Sequence, residues 1–491
     1  MQASMPYAGW AAGKNPWDTC AFPPADWTHL VPEFPPLGRP LTLALPCIGL
    51  DGAGHALQRM SVPFRAVHVF DTNGSLRPLL STVHGAQAAS NFRLGPVVGD
   101  VLLEDVRQWD RVDGVVSGPP CQPDSRQGGR GRENDSRAKV LSKVTEIIAD
   151  QGHKGAYFFV VEMVIGMMDH VQGQQSRYER WATDIAAQAP MYNIRTWIMN
   201  TADYLPQQRR RVYTVGIHRG YMTEVPQSPP QPLGPRLRLQ DVLAPDSTVP
   251  SNQEASLSER KLMDLQVMVL LAKGDSDPGA DAWLTIPLDR SLDRIWGVSC
   301  RRDGLVETLR TGDEFKWLVK MQNRNDDDEK ISRCLHPIER LLLQGFPATC
   351  ADILSKRDCL LHTGNAFSVP VVGAVLRQVC AELHSCGCFQ EGMAIPPALP
   401  AEHTAMKVRR KIKKEALRRA LLGELDAHLA YQQAANRFCR RRQGGQGHRR
   451  HVSNALLGQP RLRRDCSSHH GMAGGVGIAT TWTARGGCEN S

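Results

Sequence analysis

The sequence predicts an α/β protein built on a doubly wound, mostly parallel sheet. Two observations indicate this fold. From Leu41 onward, short apolar runs alternate with amphipathic helical stretches, which is typical of parallel strands joined by helices. Several of these apolar runs also end in a glycine-rich turn or an acidic residue. In open α/β sheets, ligands bind just beyond the carboxyl ends of the strands.

The elements of this sheet can be assigned in order along the chain. Apolar and β-branched runs predict strands at 41–48, 65–71, 95–100, 112–117, 156–162, 193–200 and 210–218. Helical periodicity predicts a helix that starts at 54 and further helices over 136–151 and 174–189. The alternation of the two patterns is the reason for expecting a parallel arrangement.

Composition divides the chain into five parts. We expect an irregular arm rich in Pro and Trp, a main α/β domain, a separate small domain that interrupts it, a return to the main domain, and a tail that begins with a linker. Their boundaries are 1–40, 41–218, 219–331, 332–388 and 389–491. The tail contains a basic, Leu-striped helix predicted over 408–433 and then a segment rich in Gly, Arg, His and Ser, which predicts disorder.

The positive charge of the chain is concentrated in this tail. Residues 401–491 hold 18 Lys and Arg against six Asp and Glu, a net charge of +12, whereas the whole chain carries +9. The rest of the chain is therefore slightly acidic. A basic tail favours a polyanionic partner, most often nucleic acid, although a solvated tail without a fixed partner has the same composition.

Cysteine usage and hydropathy indicate an intracellular protein. The 13 cysteines include no CxxC pair and no spaced Cys/His quartet, so we predict reduced thiols and no metal site. No secretory signal is evident, and the most apolar run, 157–168, is too short to span a bilayer and carries Glu162. We therefore expect no membrane partner; the oligomeric state stays open.

One cysteine occupies an unusual position. Cys121 lies in "SGPPCQPDS" directly after the predicted strand 112–117, which the Gly-Pro-Pro sequence must end. A lone cysteine is more often a buried structural thiol. However, other strands end in the glycine-rich turn "CIGLDGAG" and in acidic residues, namely Asp71, Asp100 and Glu162. Each carboxylate could simply cap a helix, but together they predict a nucleoside-type ligand site with a thiol and a carboxyl beside it.

Five motifs in a fixed order make the sequence recognisable. They are "GPPCQ" (118–122), "VVEMV" (160–164), "PQQRRRVYTVG" (206–216), "RCLHPIERLLLQGFP" (333–347) and "GNAFSVP" (364–370). The chain resembles the C5 cytosine-specific DNA methyltransferase family over 41–218 and 332–384. The resemblance implies a Rossmann-like S-adenosylmethionine-dependent methyltransferase fold, with 219–331 as the target-recognition domain.

The family's reaction assigns roles to residues of these motifs. The resemblance implies that Cys121 is the nucleophile that adds to carbon 6 of cytosine and that Glu162 contacts ring nitrogen 3. Arg209 and Arg211 match arginines that contact the base and hold the catalytic loop. The remaining implied contacts are Gln122 and Gln207 with the substrate, and Gly49, Gly52, Gly54, Asp71, Asp100 and Asn365 with S-adenosyl-L-methionine. Arg333 and Glu339 are expected to be structural.

Three positions depart from the family pattern. Met163 follows Glu162 where the family usually has Asn, and Met cannot supply the hydrogen bonds of an amide. Asp124 stands before Ser125 where an aromatic residue is usual, and a carboxylate near Cys121 would disfavour its thiolate. Cys47 replaces the Phe that usually opens the glycine-rich turn, and this turn aligns only with one inserted residue.

The sequence leaves three functions open. The first is methylation of DNA, by a DNA (cytosine-5-)-methyltransferase located in the nucleus if the source is eukaryotic and in the cytoplasm otherwise. The second is methylation of RNA, because "PPCQPDSRQGG" resembles the nucleophile loop of the transfer-RNA branch; that branch's "CFT" signature is not found in 219–331. The third is a non-catalytic homologue that binds nucleic acid.

Overall fold

A computed structural model describes residues 22–23, 25–88, 99–120, 137–170, 175–221, 225–245, 257–273, 283–288, 301, 303–311, 316–320 and 332–390. Several predictions lie outside these residues and stay predictions. They concern Cys121, Gln122 and Asp124, most of the strand predicted at 95–100, and the whole tail from 391, with its basic helix.

Six strands form the central sheet. The strands of this part of the chain are β1 (Leu41–Pro46), β2 (Phe64–Phe70), β3 (Gly114–Ser117), β4 (Phe158–Val164), β5 (Tyr192–Asn200), the two-residue β6 (Gln207–Gln208) and β7 (Arg210–His218). The sheet order is β2-β1-β3-β4-β7-β5. The pairs among β1 to β4 are parallel, and only β7 runs antiparallel to its neighbours β4 and β5.

Helices cover both faces of this sheet. The described helices of the chain are α1 (Gly52–Arg59), α2 (Arg77–Ala88), α3 (Ala138–His153), α4 (Arg177–Gln188), α5 (Glu259–Lys273), α6 (Pro337–Leu342), α7 (Lys356–Asn365) and α8 (Val369–Ser385); α5 alone among them packs on a different, smaller sheet. Apolar residues of α1, α2 and α8 belong to one hydrophobic cluster, and those of α3 and α4 to another. The predicted α/β fold with a doubly wound, mostly parallel sheet is confirmed.

The burial of β4 explains why its sequence is a continuous apolar run. Phe158 and Val160 pack into the cluster of α1 and α8, whereas Phe159, Val161 and Met163 pack into the cluster of α3 and α4. Successive side chains of a strand point to opposite faces of the sheet. Because both faces are covered, the positions of this strand favour apolar side chains, and Glu162 is the one charged residue among them.

A second, smaller sheet lies in the part of the chain that interrupts the main sheet. It consists of β8 (Trp283–Pro287), β10 (Lys316–Lys320) and β11 (Ser332–Cys334), all antiparallel, while β9 (Val306–Glu307) pairs with β6 instead. Leu265, Met268 and Val269 of α5 pack on this sheet in a hydrophobic cluster of their own. The boundaries of a separate domain at 219 and 331 stay a prediction.

Several predicted boundaries differ from the structure. The strand predicted over 41–48 ends at Pro46, because Cys47 has a φ of +60°, and the strand predicted over 156–162 runs from Phe158 to Val164. Two further differences lie beside carboxylates that accept hydrogen bonds. Gly99 and Asp100 are not part of a strand; the carboxylate of Asp100 accepts a hydrogen bond from the backbone N–H of Leu102, at 2.9 Å, and caps a short 3₁₀ helix. The strand predicted from 112 begins at Gly114. Asp113, just before it, is fully buried and accepts both guanidinium nitrogens of Arg39, at 2.6 and 2.7 Å.

No single helix in the described part of the chain is long and apolar enough to cross a membrane. Only α7 and α8 taken together reach the required length and composition, across a bend of 44°.

The segment that returns to the main body is fastened by a buried ion pair. The carboxylate of Glu339, in α6, accepts hydrogen bonds from both terminal nitrogens of Arg333, each at 2.8 Å, and both side chains are fully buried. The same carboxylate accepts the backbone N–H groups of His336, at 2.8 Å, and of Ala244, at 2.9 Å. Glu339 therefore joins β11, the start of α6 and residue 244.

We expect Glu339→Gln to lower the free energy of unfolding by about 3–5 kcal/mol, because it removes the charge that compensates a buried guanidinium. Urea unfolding of the full chain measures this change. Asp241→Asn is the matched control, since its partner Arg238 is 70% exposed and such pairs contribute less than about 1 kcal/mol. Equal losses in the two variants would contradict the role assigned to Glu339.

Candidate active site

The carboxyl ends of β1, β3 and β4 meet at one edge of the central sheet. Ser117, the last residue of β3, pairs with Val161 and donates a hydrogen bond from its hydroxyl to the carbonyl of Pro46, at 2.8 Å. Glu162 follows Val161 directly, and Gly118 to Pro120 lead from Ser117 toward Cys121, which lies outside the described residues. The described edge therefore brings Gly118 to Pro120, which precede Cys121 in the sequence, close to Glu162.

Glu162 forms a buried ion pair with Arg211. The Nε of Arg211, in β7, lies 3.0 Å from the Oε1 of Glu162, and the two side chains are only 13% and 9% exposed. Burial raises the pKa of Glu162, although the charges of Arg211 and Arg209 oppose this effect. A carboxyl with a raised pKa retains a proton more readily and can donate a hydrogen bond to a ring nitrogen.

Met163 lies on the opposite face of β4 and does not face this site. Its side chain is 1% exposed and belongs to the hydrophobic cluster under α3 and α4. An apolar side chain therefore suits this position, whereas the family's Asn would need buried hydrogen-bond partners for its amide.

Arg209 holds three parts of the chain together. Its guanidinium donates hydrogen bonds to the carbonyls of Leu309, at 3.2 Å, Gly364, at 3.2 Å, and Ala366, at 2.7 Å. The side chain is almost fully buried. Arg209 thus fixes the segment 364–366, while its predicted contact with a base stays a prediction.

Phe367 follows that segment and packs between two glycines of the site. A Cβ atom at Gly52 would lie 2.7 Å from the Cβ of Phe367, and one at Gly118 would lie 2.5 Å from its ring. Both distances are too short for any side chain. Packing on Phe367 therefore requires glycine at both positions, while the predicted contact of Gly52 with the cofactor stays a prediction.

The turn after β1 has one glycine that faces open space. Gly49 has a φ of +56°, and no atom lies within 4 Å of the position that a Cβ would take. Its N–H donates to Asp71 Oδ2, at 3.0 Å, and the N–H of Asn73 donates to Asp71 Oδ1, at 2.8 Å. Each carboxylate oxygen can accept a further hydrogen bond. Gly49, Asp71 and the nearby Asp100 thus fit a ligand with hydroxyl groups.

Asp51 is a residue of this turn that the sequence analysis missed. It has a φ of +56°, is fully buried, and caps α1 by accepting the N–H of Gly54, at 2.7 Å. Its second oxygen lies 2.8 Å from Nε2 of His84, in α2. Burial alone would raise the pKa of Asp51, but His84 and His55 outweigh it and keep this pKa below its usual value. The signal in the sequence was an acidic residue three positions before Gly54, a capping pattern.

The remaining predicted residues have different degrees of access. Asn365 is exposed at the end of α7. It lies in the sequence between Gly364 and Ala366, two of the three residues whose carbonyls Arg209 binds. Gln207 is fully buried and donates a hydrogen bond to the carbonyl of Leu343, at 2.9 Å. Burial and the carboxylates of Asp71 and Asp100 raise the pKa of the Cys47 thiol, so this cysteine stays protonated. No cluster of three or more His, Cys, Asp or Glu side chains that could hold a metal ion occurs in the described part of the chain.

We expect Arg209→Lys to loosen the segment 364–366, because one ammonium group cannot reproduce the fork that binds three carbonyls. Amide hydrogen exchange of the peptide that contains 364–370 should become at least about tenfold faster, as expected for the loss of roughly 1.5 kcal/mol. Arg236→Lys, at an exposed position where the guanidinium donates to a single carbonyl, is the control. Unchanged exchange in Arg209→Lys would contradict the account.

The raised pKa of Glu162 predicts a pH-dependent stability difference. The folded chain holds this proton more tightly than the unfolded chain, so the wild type loses stability as the pH rises from the ordinary glutamate value of 4.5 toward the folded value. Glu162→Gln does not titrate. Urea unfolding at several pH values between 4.5 and 7.5 should show the variant gaining stability relative to the wild type as pH rises. A difference that is constant or falls would contradict the assigned direction.

Comparisons with known proteins agree with the motifs of this site. A model of the C-5 cytosine-specific DNA methylase family matches residues 88–381, more than half of the chain. The type II methyltransferase M.HpaII of Haemophilus parainfluenzae is 26% identical over 296 residues, which cover 58% of this chain and 77% of that protein. M.HaeII of Haemophilus aegyptius is 26% identical over 283 residues, covering 57% and 76%.

Solved structures with a similar chain include a DNMT2 mutant of Spodoptera frugiperda and the methyltransferase EhMeth of Entamoeba histolytica. They are 14% and 15% identical, with TM-scores of 0.45 and 0.44. The alignments cover 69% and 70% of this chain and 99% of each solved chain. On the match to the family model over 88–381, the chain belongs to the C-5 cytosine-specific DNA methylase family.

Proposed function

We propose that this protein transfers a methyl group from S-adenosyl-L-methionine to carbon 5 of cytosine in DNA, through a covalent bond between Cys121 and carbon 6. The observation that carries the proposal is the sheet edge at which the end of β3 adjoins Glu162 and Arg211. Four residues beyond Ser117, Cys121 of the "GPPCQ" motif supplies a thiol. Membership of the family supports DNA as the substrate.

The proposed reaction uses the thiol and the carboxyl in sequence. The Cys121 thiolate forms a bond to carbon 6, and the electrons of the 5,6 double bond move to carbon 5 while protonated Glu162 hydrogen-bonds to nitrogen 3. Carbon 5 then forms a bond to the methyl carbon as the bond from that carbon to the sulfonium sulfur breaks, and S-adenosylhomocysteine is the leaving group. A base removes the proton from carbon 5, the double bond re-forms, and the bond from carbon 6 to sulfur breaks, which restores the thiolate.

The charge of Arg211 has a defined part in this scheme. Because Arg211 lies 3.0 Å from Glu162, its charge limits the rise of the carboxyl pKa. Glu162 can therefore exchange its proton with nitrogen 3 of the cytosine. The neighbouring Arg209 keeps segment 364–366 closed over the same edge. Gln122 and Gln207 are proposed to support the bound nucleotide, Gln207 from its buried position beneath.

The cofactor site is proposed for the turn after β1. Gly49 faces open space, and the carboxylates of Asp71 and Asp100 lie nearby. These groups would hold the ribose and adenosine part, with Gly52 and Gly54 shaping the turn and Asn365 at the rim near the methionine part. S-adenosyl-L-methionine would supply an electrophilic methyl group on a sulfonium.

The partner is proposed to be duplex DNA, with the target base turned out of the stack to reach the sheet edge. The basic tail from 401 would add phosphate contacts that are independent of sequence. In a eukaryotic cell the stretch "KVRRKIKK" (407–414) would direct the chain to the nucleus; in a cell without one, the chain would act in the cytoplasm.

Methylation of RNA is the second candidate. The observation that favours it is the stretch "PPCQPDSRQGG" (119–129), which resembles the nucleophile loop of the transfer-RNA branch. A transfer RNA and a duplex DNA that each carry 5-fluorocytosine distinguish the two substrates. With fluorine at carbon 5 there is no proton to remove, so the covalent adduct persists on whichever nucleic acid is the substrate.

We expect a denaturant-stable adduct between the chain and duplex DNA containing 5-fluorocytosine, formed only when S-adenosyl-L-methionine is present. Cys121→Ser should abolish the adduct, because a hydroxyl is far less ionised than a thiol, and should leave the circular dichroism spectrum unchanged. The measurement is a denaturing gel with a labelled oligonucleotide. Cys386→Ser, at an exposed cysteine away from the motif, is the control and should retain the adduct.

Three outcomes would contradict the proposal in different ways. An adduct that persists in Cys121→Ser would assign the nucleophile to another cysteine. An adduct with the fluorinated transfer RNA alone would favour the second candidate. Cofactor binding without an adduct to either nucleic acid would favour a non-catalytic homologue.

A further inference from the structure

We infer that His362 is a positioning residue for the cofactor, because it joins helix α7, just before the segment 364–366, to the loop that carries Asp71. The inference rests on the proposed cofactor site. His362 lies in α7, two residues before Gly364, and only 4% of it is exposed. None of the five motifs that identify the family includes it.

The contacts of His362 reach the loop directly after Asp71. Its Nε2 lies 3.2 Å from the Nδ2 of Asn73 and 3.2 Å from the Oγ of Ser75. Asn73 in turn donates its backbone N–H to Asp71, whose other oxygen accepts the N–H of Gly49. A continuous chain of hydrogen bonds therefore runs from α7 to the glycine that faces open space.

The geometry fixes the protonation state that this chain of bonds requires. The Oδ1 of Asn73 accepts the backbone N–H of Ser75, at 3.0 Å, so its Nδ2 is the atom that faces His362. Because Nδ2 can only donate, Nε2 of His362 must accept. This is possible only for a neutral imidazole whose proton is on Nδ1.

The surroundings of His362 favour that neutral form. Burial lowers the pKa of His362, and two carboxylates oppose the effect, that of Asp358 on its own helix, at 3.9 Å, and that of Asp71 across the loop. Protonation of Nε2 would replace an acceptor by a donor that faces the donor of Asn73. As the pH falls below the ordinary histidine value of 6.5, the tie to the loop is therefore lost and Asp71 is less well held.

The test is isothermal titration of the full chain with S-adenosylhomocysteine, without DNA, at pH 7.5 and pH 5.5. The wild type should bind more weakly at pH 5.5, by less than the about tenfold that complete protonation of His362 and the loss of one or two such hydrogen bonds would cause. His362→Gln should bind as the wild type does at pH 7.5 and should not weaken at pH 5.5, because its amide oxygen accepts at the position of Nε2 and does not titrate. His362→Leu should bind about tenfold more weakly at both pH values.

His218→Gln is the matched control. His218 is equally buried, and burial also lowers its pKa, but it ends β7 at the opposite edge of the sheet. This variant should keep both the affinity and the pH dependence of the wild type. Circular dichroism establishes that each variant is folded; if His362→Leu is not, the pH profile of His362→Gln decides.

Different results would overturn the proposed function and the inference about His362. A wild-type chain that binds no S-adenosylhomocysteine at either pH would overturn the proposed function and this inference with it. Wild-type binding combined with undiminished affinity in folded His362→Leu, or with the wild-type pH dependence in His362→Gln, would overturn the inference alone.

Discussion

The candidate site depends on the buried guanidinium of Arg209 and the three carbonyls that it binds. These carbonyls belong to residues 309, 364 and 366, which lie 100, 155 and 157 positions from Arg209 in the sequence. Bringing them together is what sets Phe367 against Gly52 and Gly118. A fork of fixed geometry can bind several carbonyls at once, whereas a single ammonium cannot. The turn after β1, the residues from Gly118 that precede Cys121, and the segment 364–366 are thereby held in one arrangement.

Three buried carboxylates around this arrangement each face a basic side chain. Glu162 faces Arg211, Asp51 faces His84, and Glu339 faces Arg333. Only the first pair lies at the proposed reacting edge, and there burial dominates and raises the carboxyl pKa. At Asp51 the neighbouring histidines dominate instead, so that carboxylate stays charged and serves to cap α1. The same side-chain chemistry thus stabilises the fold at Asp51, whereas at Glu162 we propose that it serves catalysis.

Local sequence signals predicted the sheet well, because their physical cause is also local. The strand at 156–162 was recognised from its continuous apolar run, and β4 has that run because both of its faces are covered. The strand predicted through Asp100 was wrong at its end, since a carboxylate that follows an apolar run can cap a turn as readily as it can bind a ligand. Glu162 was found because a motif marks it.

The polar contacts of the site could not be predicted in the same way, because their partners are distant in sequence. His362 meets Asn73, 289 positions away, and Asp113 meets Arg39, 74 positions away. Nothing in the residues around either one indicates the other. Met163 shows the converse: it departs from the family pattern at a motif position, and its burial in the cluster under α3 and α4 accounts for an apolar side chain there.

The most direct test of the central claim, methylation of carbon 5 of cytosine in DNA, is nucleoside mass spectrometry. The purified chain is incubated with unmodified duplex DNA and transfer RNA in one reaction, together with S-adenosyl-L-methionine that carries a deuterated methyl group. The account predicts label in 5-methyl-2′-deoxycytidine from the DNA, and none when Cys121→Ser replaces the wild type. Label confined to 5-methylcytidine from the RNA, or absent from both nucleic acids, would contradict it.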